Sequence, residues 1–390
     1  MILVAEPLLS FSPCKRLAPG PAFFAWGAAC GTACLAAALL TACQRPPPVE
    51  RLSGPTMGSA FHISYVQAPG TPQAAALLPQ VQDLLARLDR AVSTYRPDSD
   101  LARFNAAPAG ACLDMPAEAL ALARHAQQLA AQGEGAYDIT LLPVLDAWGF
   151  GPRAATARQA LTNASAPAAA STAAHAQPAP PQHATPTPDE LARLRPHIGQ
   201  RHLRIDGARL CKSAPIQIDF NSIAAGYAVD RIAELLTAQG IASYLIEVTG
   251  EIRGAGRKPD GAPWRVAIEA PLDSQRQAQK IVPLDGLSLS TSGDYRHYRE
   301  AGGQRLSHMI DARTLRPVTH RLAAVTVATP SALQADGLST LLMALGPQQG
   351  FDYAVRHNLA ALFVTRTAQG FDSRPTPAFE ARFPSTPPKD

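Results

Sequence analysis

The sequence has no long run of charge of one sign, no pair of cysteines with the spacing CxxC and no glycine-rich phosphate loop. Its 35 Lys and Arg residues and 31 Asp and Glu residues are dispersed along the chain, which is not typical of a nucleic-acid-binding surface. The absence of CxxC excludes metal sites of that spacing. Neither a Walker loop nor a GxGxxG motif is present, and this disfavours the common nucleotide-binding folds.

The chain does have enough apolar residues for a large core. It is 390 residues long and 46% hydrophobic. A chain of this size folds as one sizeable domain or as two closely joined lobes, and it is not a small scaffold held together by disulfides.

The first 42 residues differ in composition from the rest. Two basic residues precede an apolar run rich in Ala, Leu and Gly, from about residue 17 to residue 40, which is typical of an export signal. The run ends at Leu40-Thr41-Ala42-Cys43 and resembles the bacterial lipobox, whose cysteine is lipidated and becomes the new N-terminus. A transmembrane helix is the alternative, because about 20 apolar residues can cross a bilayer. We predict a signal peptide (1–42), a lipid on Cys43, a flexible tether (43–54) and a location on the periplasmic side of a bacterial membrane.

Two cysteines remain once the signal and the lipidated cysteine are set aside. They are Cys112 and Cys211. An oxidising periplasm permits a disulfide between them, but their positions in the sequence do not show whether they are neighbours. The sequence leaves this disulfide open.

Residues 55–390 are interpreted as one domain with an insertion. From about residue 152 to residue 188 the chain consists mostly of Ala, Pro, Thr, Ser and His, which is too poor in large apolar residues to fold, so we predict a disordered surface insertion. Outside it, alternating Phe61, Ile63 and Tyr65 predict a strand, and helical spacing predicts a helix over about 72–92. A capping pattern at Ser331 predicts a second helix to about residue 345.

Small hydroxyl side chains, glycines and a histidine are concentrated between residues 287 and 317. We expect a strand over 287–290 that ends at Thr291-Ser292-Gly293-Asp294, where N–H groups and hydroxyls can bind phosphate. A return strand over 305–310 would bring His308 close to Asp311. The alternative is a hairpin whose polar residues only satisfy its turns.

Two loop segments carry further candidate binding residues. Tyr95 lies in a polar loop, where its ring can stack on a base or a flavin or pack over a turn. Asp219 and Ser222 stand where a strand leads into a helix, so they either cap that helix or favour phosphate at its N-terminus.

A third candidate site lies on the helix that begins at Ser331. Asp336 and Thr340 are four residues apart and share one helix face, with Ser339 beside them. Their oxygens suit Mg²⁺, a cation that prefers oxygen ligands. The alternative is a polar helix surface without a ligand.

Several sequence blocks, in one order along the chain, resemble the ApbE family, the FAD:protein FMN transferases. The resemblance runs from about Met57 to the end of the chain, interrupted by the insertion. The blocks are Met57-Gly58-Ser59, Ser93-Thr94-Tyr95 with residues 99–105, Tyr137-Asp138-Ile139-Thr140, Trp148-Gly149-Phe150-Gly151, Ile218-Asp219, Gly226-Tyr227-Ala228-Val229-Asp230, Thr291-Ser292-Gly293-Asp294-Tyr295, Ser307-His308-Met309-Ile310-Asp311, and Asp336 with Thr340.

The resemblance implies an α+β fold, with mixed or antiparallel sheets and packed helices that form two joined lobes around an FAD-binding cleft. It implies a transferase that moves FMN from FAD to a threonine hydroxyl of a target protein and releases AMP. FAD is then a substrate and Mg²⁺ the cofactor. The implied partner is an exported acceptor flavoprotein of the electron-transport type.

The resemblance also implies a role for individual residues. His308 is the candidate general base, since the ordinary pKa of histidine lies near working pH. The implied FAD-binding residues are Met57, Tyr95, Ala136, Tyr137, Asp138, Asp219 and Ile310, with Thr291, Ser292 and Gly293 on the phosphates. The implied Mg²⁺ ligands are Ser222, Asp336, Ser339 and Thr340.

The sequence departs from the family pattern at several points. Ala225 replaces the usual basic residue before Gly226, and Thr249-Gly250-Glu251 replaces Gly-Gly-Asp. Two alternative functions keep the same fold. One is a periplasmic FAD pyrophosphatase that yields FMN and AMP, and the other is a non-catalytic FAD-binding lipoprotein.

Overall fold

The structure is a computed structural model. It describes residues 3–4, 47–152, 185–272, 277–295, 298–301 and 304–384. The predicted lipidation site at Cys43 and most of the predicted signal peptide and insertion lie outside these residues.

The described residues contain short and medium-length strands and helices in both halves of the chain. The strands are β1 (Leu3–Val4), β2 (Val49–Thr56), β3 (Ser59–Val66), β4 (Cys112–Asp114), β5 (Leu203–Asp206), β6 (Arg209–Lys212), β7 (Tyr244–Val248), β8 (Glu251–Ala255), β9 (Trp264–Glu269), β10 (Ala278–Leu284), β11 (Leu287–Gly293), β12 (Tyr298–Ala301), β13 (Gln304–Ser307), β14 (Ile310–Asp311), β15 (Arg316–Pro317), β16 (Leu322–Thr329), β17 (Ala360–Thr367) and β18 (Gly370–Pro375). The helices are α1 (Ala74–Val92), α2 (Asp100–Ala106), α3 (Ala117–Gln132), α4 (Leu142–Ala147), α5 (Pro188–Leu194), α6 (Ala224–Ala238), α7 (Ala332–Arg356) and α8 (Pro377–Arg382).

An eight-stranded antiparallel sheet forms the centre of the fold, in the order β18-β17-β16-β11-β8-β7-β3-β2. On one face it packs against α1, α6 and α7, with α3 behind them, around the larger core. On the other face, β9 and β10 and the short helix α8 enclose a second core. Side chains alternate between the faces of a strand, so strands such as β3, β7 and β16 contribute to both cores.

The predicted strand and helices near the sheet are confirmed. Phe61, Ile63 and Tyr65 are fully buried on one face of β3. Helix α1 begins two residues after the predicted start and ends at the predicted residue. Helix α7 extends beyond the predicted end, but its backbone is non-helical at Gly346 (φ 85°), so a kink lies where the helix was expected to stop.

One prediction for the N-terminal segment differs from the structure, and the signal peptide stays a prediction. The flexible tether was expected to extend to residue 54, but β2 begins at Val49 and pairs with β3 along its whole length. Leu3–Val4 lies within the predicted signal peptide and pairs with β9. In the described ranges, no helix has the length and hydrophobicity needed to cross a membrane.

The segment 287–317 also differs from the expected hairpin. Strand β11 does not end at residue 290 but continues to Gly293, because its hydroxyl-bearing half pairs with β16. The return strand is divided into β13, which pairs with β12, and β14, which pairs with β15.

The disulfide that the sequence left open is present. Cys112 and Cys211 are direct partners on β4 and β6 and form a disulfide. It links two strands of the small sheet β4-β6-β5.

Candidate functional site

Several turns and strand ends meet at one end of the eight-stranded sheet. Met57 and Gly58 both have positive φ and form the two-residue turn between β2 and β3. The turn between β7 and β8 lies next to it, because the Thr249 N–H donates to Ala60 O at 3.1 Å. The antiparallel register also brings the C-terminal half of β11 to this end.

A group of hydroxyl side chains lies between β11 and α7. Leu287 and Leu289 of β11 face the second core, so the alternate residues face α7. The Ser339 hydroxyl lies 3.1 Å from that of Ser290 and 2.8 Å from that of Ser292, which in turn lies 3.2 Å from the Thr340 hydroxyl. β11 and α7 thus bring four hydroxyl side chains together. Those of Ser292, Ser339 and Thr340 were predicted site residues, and that of Ser290 was not.

Two carboxylates adjoin these hydroxyls. Asp336 is buried and accepts the Gly226 N–H, in the first turn of α6, at 2.9 Å. Glu251, the first residue of β8, is hydrogen-bonded to Ser290. Burial raises the pKa of both carboxyls, and the negative charge of Glu251 raises that of Asp336 further. We call the six residues the polar cluster: Glu251, Ser290, Ser292, Asp336, Ser339 and Thr340.

Gly226 allows α6 and α7 to approach at this point. A Cβ atom there would lie 2.4 Å from Ala332 O and 2.8 Å from the Asp336 Cβ. Because these are backbone and near-backbone atoms, no side chain fits without separating the helices. The carboxylate of Asp336 therefore lies against the positive end of α6, which favours a negative charge.

Tyr137 and Ser222 form a second contact close to the polar cluster. Their hydroxyls lie 2.9 Å apart. Burial raises the pKa of Tyr137, and the negative charges of Asp336, Asp219 and Asp138 raise it further. Four predicted binding residues therefore lie near the buried Tyr137 hydroxyl, namely Ser222, Asp138, Asp219 and Asp336. Ala136, the residue before Tyr137, is buried too.

Asp138 and Asp219 hold the loops on which they lie. Asp138 accepts the Thr140 N–H at 2.8 Å, and Asp219 accepts the Asn221 N–H at 2.6 Å. The Asp219 N–H donates to Ile139 O at 2.8 Å, which joins the two segments. Burial raises the pKa of both carboxyls, that of Asp219 to about 6. Asp138 also lines a cavity of about 360 Å³ with Arg195 and Arg201.

His308 lies between β13 and β14, beside the segment 148–151. Its ring meets Phe150 edge-on, with the ring centroids 6.4 Å apart. The Trp148 indole N–H donates to Leu315 O at 2.9 Å and ties this segment to the turn after His308. In that turn Asp311 accepts the Arg313 N–H at 2.9 Å and pairs with its guanidinium, which makes Asp311 a turn residue.

The remaining predicted residues lie at the edge of this region or point away from it. Tyr95 is 59% exposed, so much of its ring is open to a ligand. Ile310 is buried in β14. The Thr291 hydroxyl faces away from the polar cluster and lies 2.8 Å from that of Thr326, and Gly293 pairs with Ala324 at the end of β11.

Comparisons with known proteins identify the family of the chain. A profile of the ApbE family matches residues 57–363. The chain belongs to the ApbE family. It is 36% identical over 343 residues to the FAD:protein FMN transferase of Vibrio cholerae, covering 88% of this chain and 95% of the relative. It is also 36% identical to the FAD:protein FMN transferase of Salmonella typhimurium, covering 90% of this chain and 96% of the relative.

Solved structures of the ApbE family have the same fold. The crystal structure of Pseudomonas stutzeri flavinyl transferase ApbE aligns with a TM-score of 0.77 and 46% identity, covering 88% of this chain and 99% of that one. The flavin transferase ApbE from Vibrio cholerae aligns with a TM-score of 0.74 and 35% identity, covering 87% of this chain and all of that one. The predicted family, the α+β fold and the assignment to a transferase are confirmed.

Glu251 of this ApbE protein is not among the site residues predicted from the sequence. The signal available was the block Thr249-Gly250-Glu251, which retains an acid where the ApbE pattern has Asp. The period of two along β11 could also have separated the hydroxyls of Thr291 and Ser292. To use either signal, one must know that β8 and β11 are neighbours and that α7 packs against β11. A local sequence pattern does not contain that information.

The polar cluster of this ApbE protein has the chemistry of a site for a hard cation. Within the described ranges, no three His, Cys, Asp or Glu side chains gather as a metal site. The cluster has two carboxylates instead, and its other side chains are hydroxyls. Oxygen ligands of this kind suit Mg²⁺, which keeps several waters and phosphate oxygens in its shell.

Proposed function

We propose that the protein is an Mg²⁺-dependent FAD:protein FMN transferase, which moves FMN from FAD to a threonine hydroxyl of an exported target protein and releases AMP. Relatives that match over most of their length carry the name FAD:protein FMN transferase. The observation that carries the proposal is the polar cluster, which adjoins Tyr137 and Ser222 at one end of the sheet. The proposed acceptor is a flavoprotein of the electron-transport type.

The proposed cation site uses the oxygens of Asp336, Ser222, Ser339 and Thr340. Asp336 supplies the charge, and its position is fixed by the Gly226 N–H. Mg²⁺ bound there would neutralise the charge that builds up on the pyrophosphate during phosphoryl transfer. The hydroxyl contacts among Ser292, Ser339 and Thr340 hold these donors in one orientation before a ligand arrives.

The proposed FAD site extends from the polar cluster across the sheet end. The exposed ring of Tyr95 provides a surface on which a flavin or adenine ring can stack. The turn at Met57 borders the same end. Asp138 lines a cavity of about 360 Å³, and Asp219 joins its segment by the bond to Ile139. Ser292 is the hydroxyl of β11 that can reach a phosphate oxygen beside the cluster.

His308 is the proposed general base. It accepts the proton of the acceptor threonine as the threonine oxygen forms a bond with the FMN-side phosphorus of FAD. The bond from that phosphorus to the bridging oxygen breaks, and AMP leaves with this oxygen. Phe150 and the turn anchored by Trp148 hold the imidazole beside the loop edge, where an acceptor protein can approach.

The proposed location is the periplasmic side of a bacterial membrane, with a lipid on Cys43. The apolar run and the Leu40-Thr41-Ala42-Cys43 ending support it. The disulfide between Cys112 and Cys211 fits an oxidising compartment. Cleavage before Cys43 would remove Leu3–Val4 from its pairing with β9, and the tether would then be the few residues before Val49.

Co-expression with an exported flavoprotein that carries a candidate threonine tests the proposal. Intact mass of the acceptor should increase by the mass of FMN less one water, and purified enzyme with FAD and acceptor should release AMP in equal amount. Asp336→Asn should abolish the addition. Asp352→Asn, on the same helix and bonded to Gln348, is the matched control and should retain it.

The alternative functions give different outcomes in the same assay. Release of FMN and AMP without labelled acceptor would identify an FAD pyrophosphatase. Binding of FAD without any turnover would identify a non-catalytic binding protein.

A further inference from the structure

One carboxylate oxygen of the polar cluster has no role in the site predicted from the sequence. Glu251 Oε2 is buried and has no hydrogen-bond partner in the described part of the chain. Its carboxylate otherwise bonds to Ser290. An unpartnered buried carboxylate oxygen is costly, because ionised groups lose strong hydration on burial.

The position of Glu251 directs its side chain into the polar cluster. Glu251 pairs with Val248, a residue of the larger core, so both side chains face the helix layer. The same face carries Ser290, whose hydroxyl lies 3.1 Å from that of Ser339. Glu251 is close enough to Asp336 for its charge to act on that carboxyl.

Two neighbouring carboxylates in such surroundings cannot both ionise cheaply unless a positive charge lies nearby. Across the described ranges, neither Glu251 nor Asp336 forms an ion pair with a lysine or an arginine. Asp336 is partly compensated by the N-terminal end of α6, whereas no donor to Glu251 Oε2 is found in the part of the chain that the structure describes. A divalent cation between the two would satisfy both, since carboxylate oxygens are its preferred ligands.

We propose that Glu251 is a further ligand of the divalent cation and acts with Asp336 as the second carboxylate of the site. This inference rests on the proposed function for the presence of the cation. Glu251 lies on a strand, whereas the other proposed cation ligands lie on α7 and just before α6. The β7–β8 turn, at Thr249 (φ 53°) and Gly250 (φ 111°), then sets the position of a cation ligand.

Binding of Mg²⁺ to the full-length protein, measured by isothermal titration calorimetry, tests this role without reference to activity. Glu251→Gln keeps the side-chain shape and an acceptor for Ser290 but removes the charge. We expect its Mg²⁺ affinity to fall by about tenfold or more, as for other changes to a metal's close surroundings. Glu251→Asp keeps the charge and should bind more tightly than Glu251→Gln.

Glu247→Gln is the matched control. Glu247 lies on the same hairpin but pairs with Ile252, which faces the second core. Its carboxylate accepts the Gly250 N–H at 2.7 Å, and the amide oxygen of glutamine can accept it too. The Mg²⁺ affinity of this variant should equal that of the wild type.

Melting temperature in EDTA separates cation binding from folding. Removing one of two adjacent buried negative charges should leave the melting temperature of Glu251→Gln unchanged or higher, although it binds Mg²⁺ more weakly. Equal Mg²⁺ affinity in Glu251→Gln and wild type would overturn the inference while leaving the transferase proposal intact. A wild type that binds no Mg²⁺ would overturn both, and failed FMN transfer with normal Mg²⁺ binding would count only against the proposed function.

Discussion

The acids of this protein occur in two kinds of surroundings. In the loops, Asp138, Asp219 and Asp311 each accept the backbone N–H of the residue two positions later. In the polar cluster, Asp336 accepts one N–H from another helix, and Glu251 Oε2 accepts none in the described residues. The loop carboxylates therefore have hydrogen-bond donors within their own turns, and the carboxylates of the polar cluster do not.

This difference separates acids that shape the site from acids that can bind a cation. A carboxylate that accepts a local N–H fixes the conformation of its loop, and the hydrogen bond partly stabilises its negative charge. A buried carboxylate with few donors has strong affinity for a positive ligand. Most predicted FAD contacts therefore lie on loops and turns, whereas the predicted cation contacts lie on α7 and at Ser222 before α6, and Glu251 on β8 is the proposed addition to them.

Among the substitutions that test the difference between the loops and the polar cluster, His308→Ala should have the largest effect, on the rate of FMN transfer. His308→Ala removes the proposed general base, and the rate of FMN transfer should fall by about 10³-fold, within the range for such groups. Because His308 is proposed to act on the acceptor threonine and lies beside Phe150 rather than in the polar cluster, Mg²⁺ affinity and FAD affinity should stay within about twofold of the wild type, a change of less than 0.5 kcal/mol. Single-turnover labelling of the acceptor and separate titrations of both ligands measure this.

His357→Ala, at the end of α7, provides the control for loss of an imidazole. If His308→Ala also weakened Mg²⁺ binding strongly, the loop region and the polar cluster would not be separate in function.

Asp219 should make the folded protein less stable as the pH rises from about 4 to about 6. Its pKa is about 6 in the folded protein, against an ordinary value of 3.8. In this window the unfolded chain has released the proton and the folded protein still holds it, so rising pH favours unfolding. The full loss is roughly 3 kcal/mol, at 1.36 kcal/mol per pKa unit.

Urea unfolding between pH 4 and pH 7, without FAD or Mg²⁺, measures this dependence. Asp219→Asn should have a flatter profile and higher stability than the wild type at pH 7. Asp352→Asn should follow the wild type. An unchanged slope in Asp219→Asn would mean that the bonds from Asn221 keep Asp219 ionised in spite of its burial.

Individual strands and helices, and the helix face that carries Asp336 and Thr340, could be predicted from local sequence. Phe61, Ile63 and Tyr65 have the period of a strand, and Asp336 with Thr340 has the period of a helix face; both patterns depend only on residues close in sequence. The order of the ApbE blocks then gives the overall topology. Lipidation at Cys43 stays a prediction, because it lies outside the described residues.

The rest depends on which strands pair, and local patterns do not contain that information. β11 continues through Ser292 because β16 pairs with it, although the sequence alone suggests a break. Glu251 belongs to the polar cluster because β8 lies beside β11. Cys112 and Cys211 meet because β4 pairs with β6.

The smallest effects are expected for Ser292 and Thr291, two neighbouring residues of β11 whose hydroxyls should have different roles. Ser292→Ala removes the hydroxyl 2.8 Å from Ser339 and should lower kcat/KM for FMN transfer by about fivefold, equivalent to about 1 kcal/mol. Thr291→Val removes the hydroxyl 2.8 Å from Thr326 on the opposite face. It should cost about 1 kcal/mol in the free energy of unfolding and leave transfer unchanged. Transfer kinetics and urea unfolding of both variants measure the difference, and a loss of transfer in Thr291→Val with none in Ser292→Ala would reverse the assignment of the two faces.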